Sequence, residues 1–405
     1  MKVLEVLTYY RPHISGLTIY VERLSKALAR QGHEVTVLTS QYDRYLPLDE
    51  IMDGVHIKRV PVAFRVSKGV IMPKFGPTAW KMVGQSDIVH LHLPQFDAPG
   101  VAFRGRLYKK PVILTYHSDL RLPPGIFNRL VDQVVHQMNR IAGNLADAIV
   151  TYTYDFGTHS PFLSQYLDQK LHVIPPPVEI FPATDADVST FRKKHDLEGK
   201  RVIGISARLA AEKGIEVLLA ALPAILEVQP KVHVLQANPD ALGEEAYAAR
   251  LEPLLRQYKS NYHLLGPLHG SELTAFYRNL DCLVMCSLNN TETFGLVQIE
   301  AMMNGVPSIA SDLPGVRQPV RMTGMGEITP VGDQTALAEA IIRVLNDPSA
   351  VRIPAADIID AFSPDQTARE YLQLFRELSA GKKNTTITLE PEAYQKLYKI
   401  RDGIS

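Results

Sequence analysis

Glu292-Thr-Phe-Gly-Leu-Val-Gln-Ile-Glu300-Ala-Met-Met-Asn-Gly305-Val-Pro307 decides how this chain is read. The stretch before it, Asp281-Cys-Leu-Val-Met-Cys-Ser287, is a buried strand by its unbroken apolar run. A Phe-Gly turn follows, then a helical pattern that stops at Gly305. Strand, loop and helix in that order aim the backbone N–H groups of Phe294, Gly295, Leu296 and Val297 out of the sheet's carboxyl edge. With Thr293 in the same turn, these amides and the helix dipole form an anion site. Glu292 before the turn and Glu300 along the helix can accept hydrogen bonds from hydroxyl groups. Phosphate at the amides with hydroxyls on both sides describes a nucleotide sugar.

The chain has 405 residues, more than one hydrophobic core usually supports, so two domains are expected. A hydrophobic share of 46% and a charged share of 21% fit an ordinary globular protein and exclude a disordered one. Glu5 interrupts the first apolar run and no small-residue cleavage site follows, so no secretory leader is expected. No apolar stretch reaches the roughly 20 residues that cross a bilayer. Cys282 and Cys286 stand on one strand, roughly 13 Å apart, too far for a disulfide, and read as small core residues. A cytoplasmic protein follows by elimination.

Net charge is zero, yet thirteen Lys or Arg face four Asp or Glu between Lys58 and Arg140. A solvated basic face is the plain explanation. The sharper one is attraction to anionic lipid, with the protein peripheral at the inner face of a membrane, or to a phosphate-bearing acceptor. No aromatic interleaving accompanies the charges, which argues against nucleic acid. The segment Ile126–Leu145 is amphipathic and reads first as a core-packed helix, second as a membrane-touching one.

Strands are expected at Val3–Leu7, Val35–Thr39, Val55–Val60, Ile88–Leu93, Val112–Tyr116, Ala148–Thr153 and Leu171–Ile174, with helices such as Thr18–Arg30 between them. Such alternation gives right-handed βαβ units and a parallel sheet. Pro175-Pro-Pro177 halts it, and Val178–Asp187 reads as a linker. Strands resume at Val202–Ser206, Val232–Gln236, His263–Leu265, Cys282–Cys286 and Ser308–Ala310. Helices are expected at Ile215–Glu227, Glu244–Tyr258, Ser271–Asn279, Thr335–Leu345 and Pro364–Leu378. The fold class is α/β: two doubly wound, Rossmann-like domains, residues 1–177 and 188–362, facing each other across a cleft that holds the ligand at the strands' carboxyl ends. A helix over 363–378 and a tail over 379–405 complete the chain.

The second domain opens with Ser206-Ala-Arg208-Leu-Ala-Ala-Glu212-Lys213-Gly214, between a strand and a helix. A guanidinium and an ammonium five residues apart can converge on a diphosphate and stabilise a departing nucleoside diphosphate.

Taken whole, Glu292 to Pro307 resembles the Glu-x7-Glu signature of retaining glycosyltransferases of family 4, which have the GT-B fold. The segment around Arg208 and Lys213 is similar to that family's Gly-Arg-Leu…Glu-Lys-Gly element, with Ala207 where the family has glycine. The resemblance implies that Arg208 and Lys213 hold the donor phosphates, Glu292 meets sugar hydroxyls near the reacting carbon, and Glu300 accepts from the ribose. It places Ser15-Gly16 at the family's Gly-Gly turn beside the donor, and it makes His117 the histidine close to the transferred sugar. It also sends the helix 363–378 back onto the first domain and leaves the tail without a role. No Gly-x-Gly-x-x-Gly follows the first strand, which argues against NAD. His90 and His92 share a strand face but show no third ligand in the sequence, so neither metal nor cofactor is expected beyond the donor substrate.

The expected function is a retaining, metal-independent transfer of a hexose from a nucleoside-diphosphate sugar to an acceptor hydroxyl, on a glycan, lipid or small alcohol. A nucleotide-sugar epimerase of the same fold and a non-catalytic nucleotide-sugar-binding protein are the alternatives.

Overall fold

A computed structural model describes residues 1–66, 69–119, 125–240, 244–347, 353–381 and 387–404. The Ile126 side chain, and residues 382–386 and Ser405 of the tail, lie outside the described residues. The chain divides into two compact units, residues 1–177 with 362–391, and residues 178–361 with 392–405.

The first unit is built on β1 (Lys2–Val6), β2 (Glu34–Gln41), β3 (Asp49–Met52), β4 (Val55–Pro61), β7 (Ile88–Leu93), β8 (Val112–Tyr116), β9 (Ala148–Thr151) and β10 (Leu171–Val173), with a separate hairpin of β5 (Phe64–Val66) and β6 (Gly69–Ile71). The sheet order is β10-β9-β8-β7-β1-β2-β4-β3. All pairs are parallel except β3 with β4, an edge hairpin turned by Asp53 and Gly54, both at positive φ. Val3 lies opposite Val35 on one side and Ile88 on the other, so β1 is central and its neighbours diverge in sequence. Helices α1 (Gly16–Arg30), α2 (Phe75–Gln85), α3 (Ala98–Leu107), α4 (Ile126–Leu145) and α5 (Tyr154–His159) complete the alternation. Both faces being covered, β7 and β8 are buried at every position. Leu4, Val6, Leu91, Leu114 and Ile149 form part of one apolar core. Glu5, His90, His92 and Thr115 are the polar exceptions on these central strands.

The second unit carries α6 (Asp185–Lys194), α7 (Ile215–Val228), α8 (Glu245–Gln257), α9 (Gly270–Arg278), α10 (Leu296–Met302), α11 (Gln318–Thr323), α12 (Gln334–Asn346) and α13 (Ala355–Phe362). Its strands are β11 (Arg201–Ser206), β12 (Val232–Ala237), β13 (Tyr262–Leu264), β14 (Cys282–Met285), β15 (Ser308–Ser311) and β16 (Gly326–Thr329), all parallel, in the order β13-β12-β11-β14-β15-β16. The order reverses between β11 and β14, which makes the loops after these two strands the topological switch point of a doubly wound sheet.

Helix α14 (Pro364–Ser379) belongs to the first unit, where Thr367 donates to the Pro175 carbonyl at 2.9 Å and the Tyr371 hydroxyl meets that of Tyr20 at 2.8 Å. The tail holds one more helix, α15 (Glu392–Arg401), which belongs to the second unit. It buries Tyr394 and Leu397 and pairs Lys396 with Asp357 at 2.8 Å. Among the described residues, no helix is long and apolar enough to cross a membrane.

Several elements depart from the sequence expectation. The edge strands β3 and β16, Asp-Glu-Ile-Met and Gly-Glu-Ile-Thr, carry charges that mask a strand pattern. The parallel sheet expected of the first domain gains an antiparallel pair at β3–β4, because the two-residue Asp53-Gly54 turn allows it, and β5 and β6 form an antiparallel pair outside that sheet. The helix expected to run to Gly305 is regular only to Met302, and Gly305 at φ +76° turns the chain into β15.

Candidate active site

The loops after β11 and β14 meet through one ion pair. Lys213 Nζ lies 2.6 Å from Glu292 Oε2, each side chain about one-fifth exposed. The second oxygen of Glu292 accepts the Gly295 N–H at 3.1 Å. Burial by itself would raise the Glu292 carboxyl, but the Lys213 charge, its hydrogen bond and the Gly295 and Thr293 N–H groups outweigh burial and hold it below the usual range. Glu292 is therefore ionised at neutral pH.

Two glycines permit this approach. Gly214 has φ +64°, and a Cβ there would come within 2.2 Å of the Cys286 carbonyl oxygen, so the β11 loop can lie against the end of β14 only through glycine. Gly295 has φ +81°, and its Cβ would meet Met285 Sδ at 2.4 Å and Gln298 Nε2 at 2.8 Å. Cys282 and Cys286 are both buried and free of a disulfide, and burial pushes the Cys286 thiol up to about 12. They are core residues without nucleophilic character.

Arg208 stands on the same loop, five residues before Lys213. Its guanidinium is half exposed and donates to Glu212 Oε1 at 3.1 Å. Glu300 is buried on α10, where its Oε2 accepts the Tyr277 hydroxyl at 2.8 Å. Thr293 and Phe294 are buried, so Phe294 can offer a ligand only its backbone, while Leu296 and Val297 open α10 half-buried. The Gly295 amide, expected for phosphate, is given to Glu292 instead, because the carboxylate sits three residues before it in the turn. Tyr277 was not singled out in the sequence. It sits among apolar residues of α9, and only the folded sheet brings it to Glu300.

In the first unit, Ser15 caps α1, its Oγ accepting the Thr18 N–H at 3.2 Å. Gly16 begins that helix with an ordinary φ and open space at its Cβ position. His117, after β8, is buried and lies in a chain of polar groups. His117 Nε2 is 2.9 Å from His92 Nδ1, His92 Nε2 is 2.7 Å from Glu5 Oε2, and the Tyr152 hydroxyl bonds His117 Nδ1. A branch runs from His90, 2.8 Å from Glu5 Oε2, to Thr115 at 2.7 Å and on to the Tyr371 hydroxyl at 2.6 Å.

The absence of a third group beside His90 and His92 is thus corrected. Glu5 faces both, because β1 and β7 are neighbours with Glu5 opposite His90. Ligand-capable atoms of the three lie within 4.8 Å of one another. His92 Nε2 is hydrogen-bonded to Glu5 Oε2 at 2.7 Å, and His90 Nδ1 lies 2.8 Å from the same oxygen. Burial would raise the Glu5 carboxyl, but the charges and hydrogen bonds of His90 and His92 lower it to about 2. Burial lowers His92 to about 4 and His117 well below the usual histidine range.

Residues 187–359 match the family model of glycosyl transferases group 1, and residues 14–180 match that of Glycosyltransferase Family 4. The phosphatidyl-myo-inositol mannosyltransferase of Mycolicibacterium smegmatis is 26% identical over 344 residues, covering 82% of this chain and 81% of its own. The D-inositol 3-phosphate glycosyltransferase 1 of Catenulispora acidiphila is 26% identical over 397 residues, covering 90% and 91%. In fold, the chain is similar to sucrose-phosphate synthase from Thermosynechococcus elongatus, with a TM-score of 0.73 at 22% identity over 94% of this chain and all of that one. It is likewise similar to Anabaena HepE in complex with UDP and glucose, with a TM-score of 0.71 at 17% identity over 93% and 99%. Two Rossmann-like units, two adjoining family matches and these relatives agree: the chain belongs to the family 4 glycosyltransferases, sugar-transferring enzymes of GT-B fold.

Proposed function

We propose that this enzyme moves a hexose from a nucleoside-diphosphate sugar to an acceptor hydroxyl with retention of anomeric configuration and without a metal ion. The observation that carries the reading is the Lys213–Glu292 contact at the switch point of the second unit, with Arg208 on the same loop and paired with Glu212. An ammonium and a guanidinium there can neutralise a departing diphosphate, the role a divalent cation would otherwise fill. Backbone N–H groups of Leu296 and Val297, which open α10, are further candidate donors by resemblance. Glu300, oriented by Tyr277, suits a ribose hydroxyl, and Glu292 a hydroxyl of the sugar. The Ser15-Gly16 turn and His117 are the first unit's candidates, by resemblance, for the donor's surroundings.

Charge grows on the leaving phosphate as the sugar–oxygen bond loosens toward an oxocarbenium-like state. Cations held in place stabilise that state more than the ground state. The acceptor then attacks from the face that the diphosphate leaves, and a donor phosphate oxygen takes its proton.

The inositol-bearing acceptors in the names of two relatives make a phosphorylated cyclitol or a lipid carrying one the first acceptor to try. A lipid acceptor agrees with a basic, aromatic surface on the first unit. Trp80 and Phe103 are about half exposed, and the Arg104 guanidinium lies over the Trp80 ring at 5.7 Å. We infer peripheral contact with anionic membrane there, on the cytoplasmic side.

The test is incubation with a panel of UDP- and GDP-hexoses and inositol phosphate or phosphatidylinositol acceptors, with and without EDTA, the product linkage being read by NMR. An inverted linkage or loss of activity in EDTA would overturn the corresponding part. Donor conversion without acceptor would identify an epimerase.

A further inference from the structure

We propose that Glu5 is a positioning residue that fixes the proton on each histidine of a buried relay ending at His117. The argument is one of hydrogen-bond parity. An ionised carboxylate has no proton to give, so His92 Nε2, 2.7 Å from Glu5 Oε2, must carry one. A neutral imidazole with Nε2–H has a bare Nδ1. That bare nitrogen lies 2.9 Å from His117 Nε2, so His117 in turn holds its proton on Nε2 and donates it. His117 Nδ1 is then the acceptor and receives the Tyr152 hydroxyl proton. One carboxylate on β1 thereby orders three successive protons, all pointing toward it.

Burial supports the directionality. Glu5 and His92 are at most 1% exposed and His117 is 7% exposed, so bulk solvent does not compete for the Glu5 oxygen that His92 faces. Tyr20 reinforces the planes, standing edge-on to His117 at 4.9 Å and stacked on Tyr152 at 5.4 Å. The relay leaves His117 neutral and the buried end of the chain negative. Positive charge developing near His117 then meets no charge on its own ring or on that of His92, and is favoured by the Glu5 carboxylate. The kinetic consequence rests on His117 lying beside the transferred sugar. The tautomer assignment does not.

The test has two arms. In 15N-histidine-labelled protein at pH 7, NMR is expected to show His92 and His117 as neutral Nε2–H tautomers. An Nδ1–H tautomer or an imidazolium at His117 would overturn the proposal. So would a metal ion that copurifies at one per chain and leaves with a chelator, because His92 Nε2 would then be a ligand without its proton. In E5Q, whose amide can donate as well as accept, His117 is expected to show mixed tautomers. The kcat for transfer should fall roughly tenfold with donor KM unchanged. An E5Q spectrum identical to wild type would overturn the role of Glu5. If E5Q does not fold, the wild-type spectrum alone decides. Should nucleotide-sugar transfer itself be the wrong reaction, the kinetic arm fails while the NMR arm stands, so the two failures are distinguishable.

Discussion

Acid should unfold the first unit at a pH well above the carboxylate range. His92 and His172, 1% and 3% exposed, are kept neutral in the fold because burial lowers each to about 4. In an unfolded chain each ring returns to about 6.5. Below that pH the unfolded state binds more protons than the folded one, so each ring removes stability as pH falls from 6.5 toward 4. At pH 5 the difference amounts to about 2 kcal/mol per ring, about 4 kcal/mol for the two. His117, lowered in the same direction by burial, adds a third loss of the same sign. Glu5 acts lower on the scale. Its carboxyl is depressed, so its contribution is fully present above about 4.5 and is lost only as pH drops toward 2. Against a total stability of about 5–15 kcal/mol, the histidine loss is large. The chain has one tryptophan, Trp80, and it lies in the first unit, so its fluorescence follows that unit alone. Urea unfolding read at Trp80 should lose about 1.2 kcal/mol for each buried ring between pH 6 and 5. H172N should lower that slope by one proton, since His172 on β10 is not part of the Glu5 relay. Stability that stays level within about 0.5 kcal/mol from pH 7 to 5 would refute the reasoning.

Three further outcomes follow from the second unit. K213A and E292Q should each lower kcat by about 10²–10³, yet the double variant should lose far less than the product of the two, because each residue's partner is the other; multiplicative losses in initial-rate assays would separate them. G295A forces alanine into φ +81° and a Cβ to within 2.4 Å of the Met285 sulfur. The cost is about 3 kcal/mol, a fall in Tm of about 6–12 °C by calorimetry, and an unchanged Tm would show that the turn can rearrange freely. Y277F removes the hydroxyl donated to Glu300 and should raise donor KM about fivefold, worth about 1 kcal/mol, with kcat held; a fall in kcat alone would place Glu300 outside donor binding.

The second unit's candidate site was legible because its chemistry and its turns share short strings. Arg208 to Gly214 and Glu292 to Gly295 each supply charges and the glycine that lets them approach. The Tyr277–Glu300 bond was not legible, because both partners sit on helices whose mutual placement depends on strand order. In a parallel sheet, crossovers decide which strands are neighbours, and no local pattern records that β1 lies beside β7. Glu5 is the instructive case. In Met1-Lys-Val-Leu-Glu-Val-Leu it reads as a lone charge in an apolar run. The same charge, in a strand covered on both faces, could not remain unpartnered without a cost of several kcal/mol. A buried acid therefore demands donors from a neighbouring strand, and a strand carrying two histidines on one face is able to supply them. His90 and His92 together with Glu5 thus constrain strand order as well as chemistry: β1 beside β7 brings both rings within 2.8 Å of one carboxylate oxygen, whereas the one-residue slip in register would turn the histidines to the opposite face and leave a carboxylate buried alone.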